Sequence, residues 1–234
     1  MVGYNLKNAV ASSGMFRAAL RAFPTLARFS TSWMKFTPYD IHLWEVFYGR
    51  SDDPYEFSTD VGEDRKYAFT IGLCGDRRYR RAFEVGCSIG VFTAMLAARC
   101  DSLLAVDISA TAVERARQNT AALPHVSCAR LSLPEEMPSG PFDLVVCSDV
   151  LYHWPDADLR LALCKFVDLL EPGGRFVAIH YLGPHWSPSD GATVHKTLRR
   201  ALLFDHVEGG EKDFRLNGSP FWRYDVFEKR ALVA

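Results

Sequence analysis

The segment Phe83-Glu84-Val85-Gly86-Cys87-Ser88-Ile89-Gly90 combines an acid with two spaced glycines. Glycine lets a chain leave a strand sharply and come close to a ligand, because no Cβ stands in the way. A dinucleotide site would show G-x-G-x-x-G, with a helix N-terminus facing a pyrophosphate. Here the spacing is G-x-x-x-G, and Glu84 stands two residues before the first glycine, which suits a cationic ligand such as a sulfonium carrying an amino group. Asp107 ends the apolar run Leu104-Ala105-Val106, where a carboxylate can accept both hydroxyls of a ribose. Taken singly, Gly86 and Gly90 also fit a plain strand-to-helix turn, and Asp107 fits a helix cap before Ser109. Their order and spacing together favour a cofactor site.

A second set of reactive side chains follows two later apolar runs: Ser148, Asp149, Tyr152 and His153, then His180 and Tyr181. Asp149 can orient an ammonium or hydroxyl group, and His153 or His180 can accept its proton. These three are the catalytic candidates. The competing assignments are a turn cap over Val150–Tyr152 for Asp149, packing for Tyr152 and Trp154, and hydrogen-bonded structural roles for the histidines. A further cluster, His185-Trp186-Ser187-Pro188-Ser189-Asp190 with His195, lacks metal-ligand spacing, so no metal site is expected.

The elements that must position these groups begin at Arg81. Ala82–Val85, Leu103–Val106, Val126–Ala129, Leu144–Cys147 and Phe176–Ile179 are near-continuous apolar runs, the pattern of strands buried on both faces. Helical spacing fills the gaps at Val91–Arg99, Thr111–Ala122 and Asp158–Leu170. Alternating strands and helices predict an α/β, doubly wound, mostly parallel sheet. Phe204–Leu216 and Phe221–Leu232 predict a closing antiparallel hairpin at the sheet edge, around Asn217-Gly218-Ser219-Pro220.

Upstream, Glu63–Cys74 reads as a helix. The aromatic stretch from Tyr39 to Phe57 is expected either to fold over the cofactor as a lid or to pack on the sheet. Residues 1–38 form an appendage without acids, carrying Lys7, Arg17, Arg21, Arg28 and Lys35. It resembles an organellar transit peptide, with a packed helix or a true start at Met34 as alternatives. The expected organisation is therefore this appendage followed by one domain, 39–234, with 39–75 as its aromatic lid segment.

With 27 basic and 28 acidic residues, no broad positive field is available to follow a phosphate backbone, so nucleic acid is not the expected partner. The six cysteines form no C-x-x-C pair and read as reduced, mostly buried thiols. No apolar run is long enough to cross a bilayer. A small-molecule substrate, a monomer or homodimer, and a cytoplasmic location are expected.

The ordered set E-V-G-C-S-I-G, A-V-D-I-S, F-D-L-V-V-C-S-D-V-L-Y-H and L-L-E-P-G-G-R-F-V-A-I-H resembles the motifs of class I S-adenosylmethionine-dependent methyltransferases. Within that class it is most similar to the nodulation protein S family, which shares G-C-S-I-G, a V-L-Y-aromatic run and a D-P-aromatic segment like Asp53-Pro54-Tyr55-Glu56-Phe57. The resemblance covers roughly residues 39 to 200. It implies a seven-stranded methyltransferase sheet and S-adenosyl-L-methionine as cofactor. Glu84, Gly86, Cys87 and Gly90 would shape the methionine pocket, Asp107 would bind the ribose and Ile108 would border the adenine. Ser132, Leu133 and Ser148 would complete the set. Two departures stand out: Ser88 occupies the place of a middle glycine, and Ser132 that of an aspartate facing the adenine amino group. The resemblance further implies N-methylation of an amino sugar, because members of that family methylate a de-N-acetylated chitooligosaccharide end. O-methylation of a small metabolite and a non-catalytic binding module are the alternatives.

Overall fold

In the computed structural model, residues 41–183, 187–200, 204–215 and 221–231 are described. The appendage 1–38, His185, Trp186 and the 217–220 turn lie outside them.

Seven strands form one sheet in the order β3-β2-β1-β4-β5-β7-β6. They are β1 (Ala82–Val85), β2 (Leu103–Asp107), β3 (Val126–Arg130), β4 (Phe142–Ser148), β5 (Leu170–Tyr181), β6 (Phe204–Lys212) and β7 (Trp222–Lys229). The first five run parallel, while β7 lies antiparallel between β5 and β6. This is the doubly wound class I methyltransferase sheet with its antiparallel hairpin, as the sequence predicts. Val85 pairs with Val106 on one side and Cys147 on the other, so the strand order reverses at β1. Ligands of such sheets bind at that reversal, beyond the carboxyl ends of the strands.

Six helices are described: α1 (Ile41–Gly49), α2 (Val61–Leu73), α3 (Val91–Leu96), α4 (Ala110–Asn119), α5 (Asp156–Leu169) and α6 (Gly191–Leu198). Side chains of a doubly buried strand alternate between two apolar layers. Phe83, Val145, Cys147, Phe176 and Ala178 enter the layer with Leu159, Ala162, Leu163 and Phe166 of α5. Ala82, Leu144, Val146 and Val177 enter the opposite layer with Tyr67 and Leu73 of α2 and Phe92 and Leu96 of α3.

The boundaries shift for local reasons. Helix α5 starts two residues earlier than its apolar pattern, after Pro155, with Asp156 and Asp158 in the first turn beside the positive end of the helix dipole. The expected helix Val91–Arg99 is α-helical only to Leu96 and closes as a 3-10 turn over Ala97–Arg99. Strand β5 runs six residues further back than the apolar run, through Pro172, Gly173 and Gly174. No helix among the described residues is long and apolar enough to cross a membrane.

Candidate functional site

The carboxyl end of β1 delivers Glu84 into a buried position, 3% exposed, on the α3 side of the sheet. Its Oε2 and the Thr93 hydroxyl of α3 are both buried without a hydrogen bond among the described residues. Burial pushes the Glu84 carboxyl up to about 7, with the neighbouring Thr93 hydroxyl opposing and the charge of Asp107 adding to the rise. An acid held this way is poised for a cation, because a positive group beside it restores the ionised form.

The turn after β1 needs left-handed backbone. Gly86 has a φ of +79° and Gly90 +84°. A Cβ at Gly86 would lie 2.9 Å from Val150 Cγ2, and one at Gly90 would lie 2.8 Å from Ala116 Cα. Both glycines are therefore demanded by backbone sign and by the close approach of the β4 loop and α4. Ser88 also has a positive φ, +50°, which accounts for glycine at this place in related motifs. Serine holds the conformation here through two contacts: its N–H donates to Asp107 Oδ2 at 2.9 Å and its Oγ accepts from Tyr48 Oη at 2.8 Å.

Asp107 thus ties the β1 turn to the end of β2, and its Oδ1 accepts the Ser109 N–H at 3.0 Å. Burial pushes its carboxyl up, with the backbone amides opposing. Each carboxylate oxygen keeps a second lone pair, the capacity that a ribose diol needs. The cap of α4 is Ser109, whose side chain accepts from Ala112 N–H, so Asp107 is not the cap residue itself.

The other expected cofactor residues divide. Cys87 turns its side chain away, into a cluster with Ala105, Val113, Ala116 and Cys128, so only its backbone faces the turn. Ile108, Ser132 and Ser148 are half-buried at the ends of β2, β3 and β4. The Leu131 N–H donates to Asp107 O at 3.1 Å, drawing the 131–133 loop beside Asp107. Leu133 is buried in the α5 layer.

Helix α1 crosses these loop ends. Glu45 accepts from the Ala110 N–H and, at 2.6 Å, from the Thr111 hydroxyl at the start of α4. Arg115 donates to Tyr48 O at 2.8 Å and Ser51 O at 2.7 Å. Trp44 packs edge-on against His153, ring centroids 4.9 Å apart, so α1 spans from the β2 loop to the β4 loop.

On the other side of β1 stands Asp149, just past β4, with a φ of +53°. The 3-10 turn Leu151–His153 has Val150 as its cap and no side-chain cap bond, so Asp149 does not cap it. Its carboxylate accepts instead from Lys66 Nζ at 2.6 Å, Tyr181 N–H at 2.8 Å, Tyr152 Oη at 3.1 Å and Trp222 Nε1 at 3.2 Å. Burial would raise this carboxyl, but the Lys66 ammonium holds it well below the usual carboxylate range. Lys66 is 2% exposed and also pairs with Glu63 at 2.5 Å. Two carboxylates pair with one ammonium here, beside the rings of Tyr67 and Trp222.

Lys66, Glu63 and Trp222 join Asp149 in this cluster, and sequence reasoning missed them. A signal existed for the first two, since Glu63, Lys66, Tyr67, Thr70 and Leu73 recur at three- and four-residue steps and form the buried face of α2. Trp222 carried none: it arrives because β7 pairs Trp222 with Tyr181 of β5.

The histidines differ in setting. His153 is half-buried near Trp44, and its Nδ1 lies 2.9 Å from Ser187 Oγ. His180 is fully buried, its Nε2 accepting the Leu151 N–H at 3.1 Å and its Nδ1 3.1 Å from His195 Nε2. With both ring nitrogens engaged inside the protein, His180 is not presented to a substrate, which revises its expected part as direct proton acceptor. Among the described residues no cluster of three or more His, Cys, Asp or Glu side chains could hold a metal ion.

The chain and its fold have relatives among known proteins. Nodulation protein S from Bradyrhizobium diazoefficiens is 34% identical over 123 residues, 52% of this chain and 59% of that protein, so the chain spans less than two thirds of its length. The crystal structure of the N-methyltransferase NodS from Bradyrhizobium japonicum WM9 in complex with S-adenosyl-L-homocysteine superposes with a TM-score of 0.71, covering 84% of this chain and all of that one at 24% identity. The phosphoethanolamine N-methyltransferase 1 of Haemonchus contortus reaches a TM-score of 0.69 at 14% identity, covering 84% of this chain and 50% of that one. The family model for nodulation protein S (NodS) matches residues 49–186, more than half of the chain. This chain belongs to the nodulation protein S (NodS) family.

Proposed function

We propose that the protein transfers a methyl group from S-adenosyl-L-methionine to the amine of a small acceptor, an amino sugar or its oligosaccharide. The observation that carries this reading is the facing of two acidic sites across the end of β1. On one side, Glu84 offers a buried oxygen with no hydrogen bond among the described residues, and Asp107 a ribose-type acceptor. On the other, Asp149 and Glu63 both pair with the ammonium of Lys66.

The residues present fit the cofactor. Glu84 would meet the cationic methionine end, Gly86 to Gly90 would wrap it, and Asp107 would take the ribose. When bound, S-adenosyl-L-methionine supplies a methyl group already activated by its sulfonium, so alignment and removal of the acceptor's proton are what the protein must add. An amine arrives as an ammonium at neutral pH and must lose a proton before it can attack. The Asp149 carboxylate, partly exposed beside Lys66, can hold that ammonium. His153, half-buried with Ser187 on its Nδ1, is the better placed of the two histidines to receive the proton, since His180 is fully buried. Membership of the NodS family favours nitrogen as the acceptor, since NodS of Bradyrhizobium japonicum WM9 is an N-methyltransferase.

The test uses S-adenosyl-L-methionine with a labelled methyl group, a panel of amino sugars, de-N-acetylated chitooligosaccharides and phenols, and mass spectrometry of the product. Label on an amine nitrogen is the expected result. Label on oxygen makes the protein an O-methyltransferase, and cofactor binding without transfer to any acceptor makes it a binding module. Size-exclusion chromatography with light scattering tests the further proposal that it is a monomer or homodimer, and fractionation tests a cytoplasmic location.

A further inference from the structure

His180 of β5, His195 of α6 and Asp225 of β7 share one buried hydrogen-bonded chain. Its direction is dictated from the inner end. A backbone N–H only donates, so the Leu151 amide obliges His180 Nε2 to accept. A neutral imidazole then carries its proton on Nδ1, facing His195 Nε2. His195 must accept there and carry its own proton on Nδ1, 2.6 Å from Asp225 Oδ2. Asp225 is anchored from its far side by Arg199 Nε at 2.9 Å and His206 Nε2 at 2.7 Å, with Arg223 3.7 Å away. Burial holds His195 below its ordinary pKa, in keeping with a neutral ring, while Asp149 and Tyr152 flank His180.

We propose that His195 and Asp225 are positioning residues for the acceptor side, holding His180 in the Nδ1–H tautomer so that it anchors the Asp149–Leu151 corner. The inference rests on the reading of Asp149 as an acceptor-side group. Successive residues at the end of β5 grip that corner: Ile179 O accepts the Asp149 N–H at 2.8 Å, His180 accepts the Leu151 N–H, and the Tyr181 N–H donates to the Asp149 carboxylate. Asp149 sits in left-handed backbone, a conformation that persists where its surroundings enforce it. The opposite tautomer of His180 would set Nε2–H against the Leu151 N–H, two donors face to face. Because the inner end is a backbone amide, the chain passes no proton to a substrate; it sets geometry.

Nitrogen-15 spectra of the ring nitrogens in the wild-type protein test the tautomer directly. Both His180 and His195 are expected as Nδ1–H forms, and an Nε2–H His180 overturns the proposal. In His195→Leu, amide hydrogen exchange at Leu151 and Tyr181 should rise by about tenfold or more, while the Ser88 and Ser109 amides on Asp107 keep their protection. His195→Gln, which retains one acceptor and one donor, should restore it. Methyl transfer to a de-N-acetylated chitooligosaccharide should fall by about tenfold or more in His195→Leu, with S-adenosyl-L-homocysteine affinity within about threefold. Unchanged exchange at Leu151 overturns the positioning role. Absent turnover in the wild type overturns the proposed function instead, and leaves the tautomer and exchange measurements to judge this inference. Should His195→Leu fail to fold, the wild-type tautomer decides alone.

Discussion

Lys66 and Asp149, 83 residues apart in sequence, meet at 2.6 Å between helix α2 and the end of β4. Lys66 is buried and Asp149 largely so, and Glu63 makes the pair a triad. Removing one member of a buried ion pair leaves the other charge uncompensated, at a cost of roughly 3–5 kcal/mol. Lys66→Met should therefore lower the free energy of unfolding by several kcal/mol in urea titration. A loss within experimental error would mean that the triad is not a stabilising pair. A carboxyl held low in the folded state contributes stability that is present above its unfolded pKa and lost as pH falls toward the folded one. The Lys66→Met protein should therefore show less of the wild type's decline in stability on acidification.

Asp149→Asn keeps the size of the side chain and tolerates the left-handed backbone, but removes the charge. The expected outcome is a rate constant at least roughly tenfold lower, with cofactor affinity changed less than about threefold. Single-turnover kinetics beside calorimetry separate the two. A near-normal rate would remove Asp149 from the acceptor site and leave His153 as the better placed candidate.

Asp107 holds the Ser88 and Ser109 amides and is the expected ribose acceptor. Asp107→Ala should weaken binding of S-adenosyl-L-homocysteine by about 1.5–3 kcal/mol, the worth of hydrogen bonds to a charged group. The melting temperature should also drop, since the β1 turn loses its tie to β2. Unaltered affinity by calorimetry would mean that Asp107 serves the turn alone.

Glu84, raised to about 7, gives the cofactor site a pH dependence of definite sign. Its folded pKa exceeds the unfolded one, so ionising it works against the folded, ligand-free protein as pH rises through that interval. A cationic ligand favours the ionised form and must expel the proton below pH 7. Affinity for S-adenosyl-L-homocysteine should thus fall as pH drops from about 8 to 6. In Glu84→Gln that slope should flatten. An equal slope in both proteins would assign the proton to another group.

The first five strands and the groups at their ends were legible in the sequence because the information is local. A strand buried on both faces reads as an apolar run, and a residue that follows such a run lies at the strand's end. Glu84, Gly86, Gly90, Asp107 and Asp149 could be located in that way, and β7 and β6 followed from two extended segments. What Asp149 does with its lone pairs could not be read, because its partners arrive from α2, β5 and β7. Lys66 has the side chain of a solvated helix face, and only the packing of α2 against the sheet turns it inward. The histidines show the same division. Sequence marked His180 and His195 as reactive types on different elements, but the backbone amide that fixes their tautomers belongs to a loop 29 residues from His180. Periodicity along the chain determines which residues reach the rim of the sheet. The charge balance and hydrogen-bond direction there were decided only by long-range packing, because they depend on which donors and acceptors the folded chain brings within 3 Å of one another.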